Sequence, residues 1–247
     1  MLNWQGEAQV VGQVRCRRFV PGSQPDGAAT GAVFEPLVNA RSAHIALIQH
    51  GGSSNKEGAD VWDVAQVLTG QKGVRLVALD GPVHGARLGQ GEKLEPLEVR
   101  ARFFEKWEHE PVHVAGHVDA WRRLIDELID AWHPDRISWV GLSMGTAYGL
   151  PLLAQEPRIH DAVIGMWGTS FVNSARLRAD AKAVRARVLF QQKWHDELFS
   201  REGQLELFDA LGTDDRRLHV YPGGHTRLGE EQLADLVRFV VDAPGGR

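Results

Sequence analysis

A single cysteine, Cys16, excludes an intramolecular disulfide and any cluster of thiolate metal ligands. Its setting among alternating residues predicts a half-buried core thiol. No apolar run is long enough to span a bilayer, and the opening stretch "MLNWQGEAQVVGQVRCRR" has no apolar h-region of a signal peptide. No membrane partner is expected, and a cytoplasmic location is. An excess of one charge is missing too: 28 Lys and Arg stand among 32 Asp and Glu, for a net charge of -4. Without a basic stripe for a phosphate backbone, nucleic acid is not an expected partner. Internal repeats and low-complexity linkers are also absent. The 247 residues, 43% of them hydrophobic, suffice for one large core, so a single domain spanning 1-247 is expected.

What is present is a recurring pair of patterns. Short β-rich runs occur at 44-49 ("HIALIQ"), 74-80 ("VRLVALD"), 136-141 ("RISWVG"), 161-168 ("DAVIGMWG"), 186-192 ("ARVLFQQ") and 217-223 ("RLHVYPG"). Between them, segments 58-70, 117-132, 145-155 and 203-212 repeat apolar residues three and four apart, as an amphipathic helix requires. This alternation predicts a mostly parallel sheet with helices on both faces. Ahead of it, "AQVVGQVRCRRFV" and "GAVFEPL" alternate like an antiparallel pair around the turn-rich "PGSQPDGAATG". "LADLVRFVV" predicts a last helix and "APGGR" a frayed tail.

Two motifs compete for the chemistry. The first, "HEPVHVAGHVD" at 109-119, has the H-E-x-x-H spacing with which a metallopeptidase helix presents two zinc-binding histidines and a general base. That reading needs His109 and His113 one turn apart on a continuous helix. Pro111 lies inside the turn; it removes a backbone donor and pushes Glu110 out of the α region. A helix boundary near 110-111 and a new helix from about His117 are therefore expected. No metal is assigned.

The second motif is "GLSMG" at 141-145, a G-x-S-x-G sequence at the end of a predicted strand and the start of an apolar helix. A serine on so sharp a turn brings the residues two before and two after it against neighbouring backbone, which favours glycine at 141 and 145. Three further segments follow predicted strands and so fall at the same edge of the sheet, where ligands bind in open parallel sheets. "HGGSS" (50-54) has glycines that let a backbone N-H approach a substrate oxygen, and the Met144 N-H at the helix start offers a second arm. "HDELFS" (195-200) supplies Asp196 to orient an imidazole, with Glu197 the rival carboxylate. "GGHTRLG" (223-229) supplies His225.

With Ser, Asp and His in this order, the chain from about His44 to Val241 resembles the α/β-hydrolase superfamily, in particular its small esterase and dienelactone-hydrolase-like members. "LDGPVHGAR" (79-87) is similar to a D-x-P-x-H-G segment of that fold. The resemblance implies an α/β-hydrolase fold with a mostly parallel sheet of about eight strands. It also implies a nucleophile at Ser143, a general base at His225, an orienting acid at Asp196, and oxyanion donors at Gly52 and Met144. The span between Gly168 and Arg187 leaves little room for a large cap, so a small lid is expected from 88-116.

Gly51 and Ser53 are expected to border the substrate, and Phe103, Trp107 and Trp167 are candidates for an acyl pocket. His50 and His84 are expected to be structural, pinning the oxyanion loop and the turn after "LDGP", and His195 to be a surface residue or one that supports the site from behind, not the base. The expected function is hydrolysis of a small carboxylic ester, or of a thioester or amide, through an acyl-enzyme without cofactor. Alternatives are a non-catalytic binding protein of the same fold and a zinc peptidase using His109 and His113. The sequence sets no oligomeric state.

Overall fold

The computed structural model describes residues 2-23, 30-38, 43-89, 92-110 and 112-242. Among them nine strands form one sheet: β1 (Asn3–Val11), β2 (Val14–Val20), β3 (Gly31–Pro36), β4 (His44–Gln49), β5 (Arg75–Leu79), β6 (Arg136–Leu142), β7 (Asp161–Gly165), β8 (Arg187–Lys193) and β9 (Arg216–Tyr221). Their spatial order is β1-β2-β3-β5-β4-β6-β7-β8-β9. The first three strands and β5 pair antiparallel, and every pairing from β5 to β9 is parallel.

The extra strand relative to the expected eight or so comes from the amino terminus. "AQVVGQVRCRRFV" is two strands, not one. Gly12 adopts φ +58° and turns the chain so that Val11 pairs with Val14. That conformation is open to glycine without a Cβ penalty. The turn-rich stretch before β3 and the closing "APGGR" lie largely outside the described residues.

Period-two alternation sends successive side chains of each central strand to opposite faces. Ile45 and Leu47 of β4 join Ile137 and Trp139 of β6 in one core, beneath the helices α2 (Pro96–His109), α3 (Val112–Trp132), α4 (Met144–Leu153), α5 (Leu177–Ala183) and α6 (Arg201–Ala210). Ala46, Ile48, Val140, Val163 and Leu189 join the other, beneath α1 (Ala59–Val64) and α7 (Glu230–Val241). Each buried Leu, Ile or Val contributes roughly 1.5-3 kcal/mol. A one-residue slip of any central strand would exchange the two sets. Cys16 of β2 belongs to the second core at 2% exposure, deeper than the half-buried thiol expected, and burial pushes its pKa up to about 12.

The helix expected over 58-70 is α1 continued by a π-helical turn, Ala65–Gly70. The boundary near 110 is present: α2 stops at His109 and α3 begins at Val112. It begins five residues before the expected His117. The buried stripe of α3 already includes Val114, whose apolar contact extends the helix backward.

Candidate active site

All parallel strands point their carboxyl ends at one rim, and five loops meet there. The first carries Ser143, between β6 and α4. Its backbone sits at φ 56°, ψ -120°, a region costing a non-glycine residue of the order of 1-3 kcal/mol. The surroundings hold it there. Its N-H donates to the Gly165 carbonyl at 2.9 Å, while the Thr146 hydroxyl accepts from the Gly165 N-H at 2.7 Å and donates to the Gly141 carbonyl at 2.9 Å. The two flanking glycines are needed sterically. A Cβ on Gly141 would lie 2.6 Å from the Gly145 carbonyl oxygen, and one on Gly145 would lie 2.7 Å from that of Gln49.

The loop after β8 brings Asp196 and the loop after β9 brings His225. His225 Nε2 lies 2.9 Å from Ser143 Oγ, and its Nδ1 lies 2.9 Å from Asp196 Oδ2. Asp196 is the carboxylate on the ring; its side chain is 1% exposed, and its Oδ1 accepts the N-H groups of Leu198 and Phe199, both at 3.0 Å. With a carboxylate at Nδ1, the ring proton resides there and the Nε2 lone pair faces the serine. Glu197, the rival in the sequence, instead accepts the backbone N-H of His225 at 2.8 Å, a bond that lowers its own pKa. His195 is exposed, as expected.

The fourth loop is "HGGSS". Asp60 in the first turn of α1 accepts the Gly51 N-H at 2.9 Å and the Ser54 hydroxyl. His50 is buried, and its tautomer follows from its partners. Nε2 accepts the Gly81 N-H at 2.9 Å, so Nδ1 carries the proton and donates to the Gly51 carbonyl at 2.8 Å. Burial pushes its pKa down to about 4. The N-H groups of Gly52 and Met144 take no part in the loop hydrogen bonds among the described residues.

The loop after β5 lies beneath this one. Asp80 is fully buried; burial alone would raise its pKa, but the Lys56 ammonium at 2.8 Å together with the hydrogen bonds the carboxylate accepts outweighs that and holds the carboxyl below its ordinary value. The carboxylate also accepts the Lys56 and Ala86 N-H groups, both at 3.0 Å. His84 reaches out of this loop as well as pinning it: Nδ1 lies 2.6 Å from the Pro82 carbonyl and Nε2 lies 2.9 Å from the Gly52 carbonyl. Nothing in the sequence pattern marks the second contact, which joins residues 32 apart.

A cavity of about 430 Å³ opens on Ser143 and His225, and Gly51, Gly52 and Ser53 border it. The aromatic residues expected to line an acyl pocket do not. Phe103, Trp107 and Trp167 are each 0% exposed, packed ring against ring with Tyr148 in the first core. The apolar wall comes from Ile48, Val64, Leu142, Met166 and Leu228, with Pro96 and Arg100 of α2 at the cavity margin. Helix α2, inside the segment expected to form a lid, thus faces the core with Phe103 and Trp107 and the cavity with Pro96 and Arg100.

The H-E-x-x-H residues are separated. His109 ends α2, whereas His113 lies in the first turn of α3 with Nδ1 3.0 Å from the Tyr148 hydroxyl. Among the described residues, no group of three His, Cys, Asp or Glu side chains is placed to hold a metal ion.

Solved structures match along nearly the whole chain. A polyethylene-glycol-bound cold-adapted esterase from an Arctic intertidal metagenomic library is 32% identical, with 96% of this chain and 97% of that one covered and a TM-score of 0.83. A zinc-bound cold-adapted esterase from an Arctic intertidal metagenomic library is 30% identical over 96% and 97%, with a TM-score of 0.77. A dienelactone hydrolase from Anabaena variabilis, 16% identical over 96% and 94%, shares the fold at a TM-score of 0.61. No protein-family model and no curated protein matches the chain. A strand-to-helix serine turn on a nine-stranded, mostly parallel sheet defines the architecture of an α/β hydrolase. The chain belongs to the α/β-hydrolase superfamily.

Proposed function

We propose that this protein is a carboxylesterase-like serine hydrolase acting on small esters through an acyl-enzyme. The observation that carries the reading is the hydrogen-bonded series from Asp196 through His225 to Ser143, ending on an open cavity. A serine hydroxyl attacks a carbonyl at neutral pH only when a neutral imidazole takes its proton, and His225 Nε2 is in reach to do so. Asp196 keeps the proton on Nδ1 and stabilises the imidazolium that forms. The Gly52 and Met144 N-H groups receive the oxyanion, an interaction whose loss typically costs about 3-4 kcal/mol of barrier for one donor. Collapse expels the alcohol, protonated by His225. Water then attacks the acyl-enzyme with the same base.

The likeness to esterases that the chain covers almost completely supports an ester as substrate. In this reading residues 1-247 form one domain, and α2 is its small cover. The test is a fluorophosphonate probe: labelling of Ser143 that His225→Ala suppresses, together with hydrolysis of p-nitrophenyl acetate that Ser143→Ala abolishes, is the expected result. Folded protein that neither labels nor turns over would mean a binding protein on the same scaffold.

A further inference from the structure

The loops after β4 and β5 are joined at three points: Lys56 to Asp80, His50 to Gly81, and Gly52 to His84. The third differs from the others in what it holds. The carbonyl in it belongs to the glycine pair beside Ser143, and the ring that meets it is 0% exposed. A trans peptide is planar, with its C=O and the following N-H pointing in opposite directions, and no peptide bond among the described residues is cis. Drawing the Gly52 carbonyl down toward His84 therefore turns the Ser53 N-H up, and Ser53 borders the cavity. The preceding peptide is fixed likewise, since the Gly51 carbonyl accepts from His50 Nδ1 and from the Ser54 N-H at 3.1 Å, leaving the Gly52 N-H on the far side.

Glycine makes this restraint necessary. Two adjacent glycines leave the 51-52 backbone free to rotate, so the direction of the N-H groups must come from outside the loop. Phe103 packs beneath Gly52, 3.1 Å from where a Cβ would stand, so a side chain at 52 would meet its ring.

The buried ring is neutral and carries one N-H for two carbonyls, those of Pro82 and Gly52. We infer that this proton is on Nε2 and that His84 is a positioning residue for ester hydrolysis: the Nε2-H holds the Gly52 carbonyl and so turns the Ser53 N-H toward the oxyanion, beside the Gly52 N-H. This rests on the serine hydrolase reading. It adds a residue 59 positions before the nucleophile that does not touch the substrate and acts only through the backbone it holds.

Two isosteric variants separate positioning from packing. In His84→Gln the amide can donate from near the place of Nε2, toward Gly52; in His84→Asn it can donate only from near the place of Nδ1, toward Pro82. Both lose the ring and similar packing, so both are expected to lower Tm by similar amounts. His84→Gln is expected to keep kcat for p-nitrophenyl acetate within a few-fold of the parent. His84→Asn is expected to lower kcat by roughly 10- to 100-fold with KM little changed, below the full loss of an oxyanion donor. Equal losses in both variants, no loss in either, or loss confined to His84→Gln would each overturn the assignment. A parent protein without Ser143-dependent turnover would remove the hydrolase reading itself, a result seen before any variant is compared.

Discussion

The Glu197 carboxylate accepts the backbone N-H of His225 at 2.8 Å, while its neighbour Asp196 engages the ring of the same histidine at 2.9 Å. Adjacent acidic residues thus fix one histidine twice, in the main chain and in the side chain. Their substitutions should separate. Asp196→Asn disturbs the tautomer and is expected to lower kcat by about 10⁴. Glu197→Gln keeps an acceptor for the N-H and should cost only a few-fold, whereas Glu197→Ala frees the loop and should cost roughly ten-fold, within the range lost when a reacting group is misplaced. Steady-state kinetics on p-nitrophenyl acetate decide the order, and a larger loss at 197 than at 196 would reverse the assignment of the two carboxylates.

The pair Lys56–Asp80 should matter more to stability than any surface pair. Lys56→Met strands a carboxylate that is 0% exposed, and removing one partner of a buried pair costs about 3-5 kcal/mol. Arg18→Met opens the pair with Glu57, in which the arginine side chain is 52% exposed, and should cost at most about 1 kcal/mol. Urea unfolding of both variants gives the comparison.

Stability should fall on mild acidification. His50 and His84 are pushed to about 4 and His117 well below its ordinary value, all chiefly by burial. In each the unfolded chain binds a proton near pH 6.5 that the folded one refuses, so unfolding takes up protons and stability rises with pH through this window. The contribution is complete above about pH 6.5 and is lost progressively down to about pH 4. Each histidine accounts for about 1 kcal/mol per pH unit within it. Urea midpoints at pH 7, 6 and 5 should decline steadily, and a flat profile would show that these rings are already protonated in the folded state.

Arg100 gives the cavity margin a positive charge that its own helix does not neutralise. Its neighbours three and four positions away are Pro96, Leu97, Phe103 and Phe104, none of them acidic. Arg100→Gln is expected to lower kcat/KM for p-nitrophenyl hydrogen succinate by about five-fold, the worth of roughly 1 kcal/mol in a partly exposed ion pair. The neutral methyl p-nitrophenyl succinate should change little. Equal changes for both esters would assign the effect to shape.

The sequence carried a large part of this arrangement because its strongest signals are local. Strand period, the glycines at 141 and 145, and polar residues directly after predicted strands depend on neighbours in the chain, and a parallel sheet carries all such loops to one rim. Three features depended on contacts between distant segments. The aromatic residues at 103, 107 and 167 have the composition of a pocket wall, yet whether a ring faces a void or another ring is decided by packing among α2, α4 and the segment after β7. The His84–Gly52 bond and the Glu197–His225 bond join loops 32 and 28 residues apart, with no periodicity to announce them. The amino-terminal hairpin was hidden for a simpler reason: alternation runs through Gly12 without a break, and only the left-handed φ of that residue divides it.

Because Phe103 packs under Gly52 and the rings of Trp107 and Trp167 pack against Phe103, the binding space cannot grow downward without emptying the core. Variants selected for bulkier esters should therefore arise first along the outer rim at positions 96 and 100, where side chains can shrink at little thermodynamic cost. The same floor that stabilises the fold also channels how its specificity can evolve.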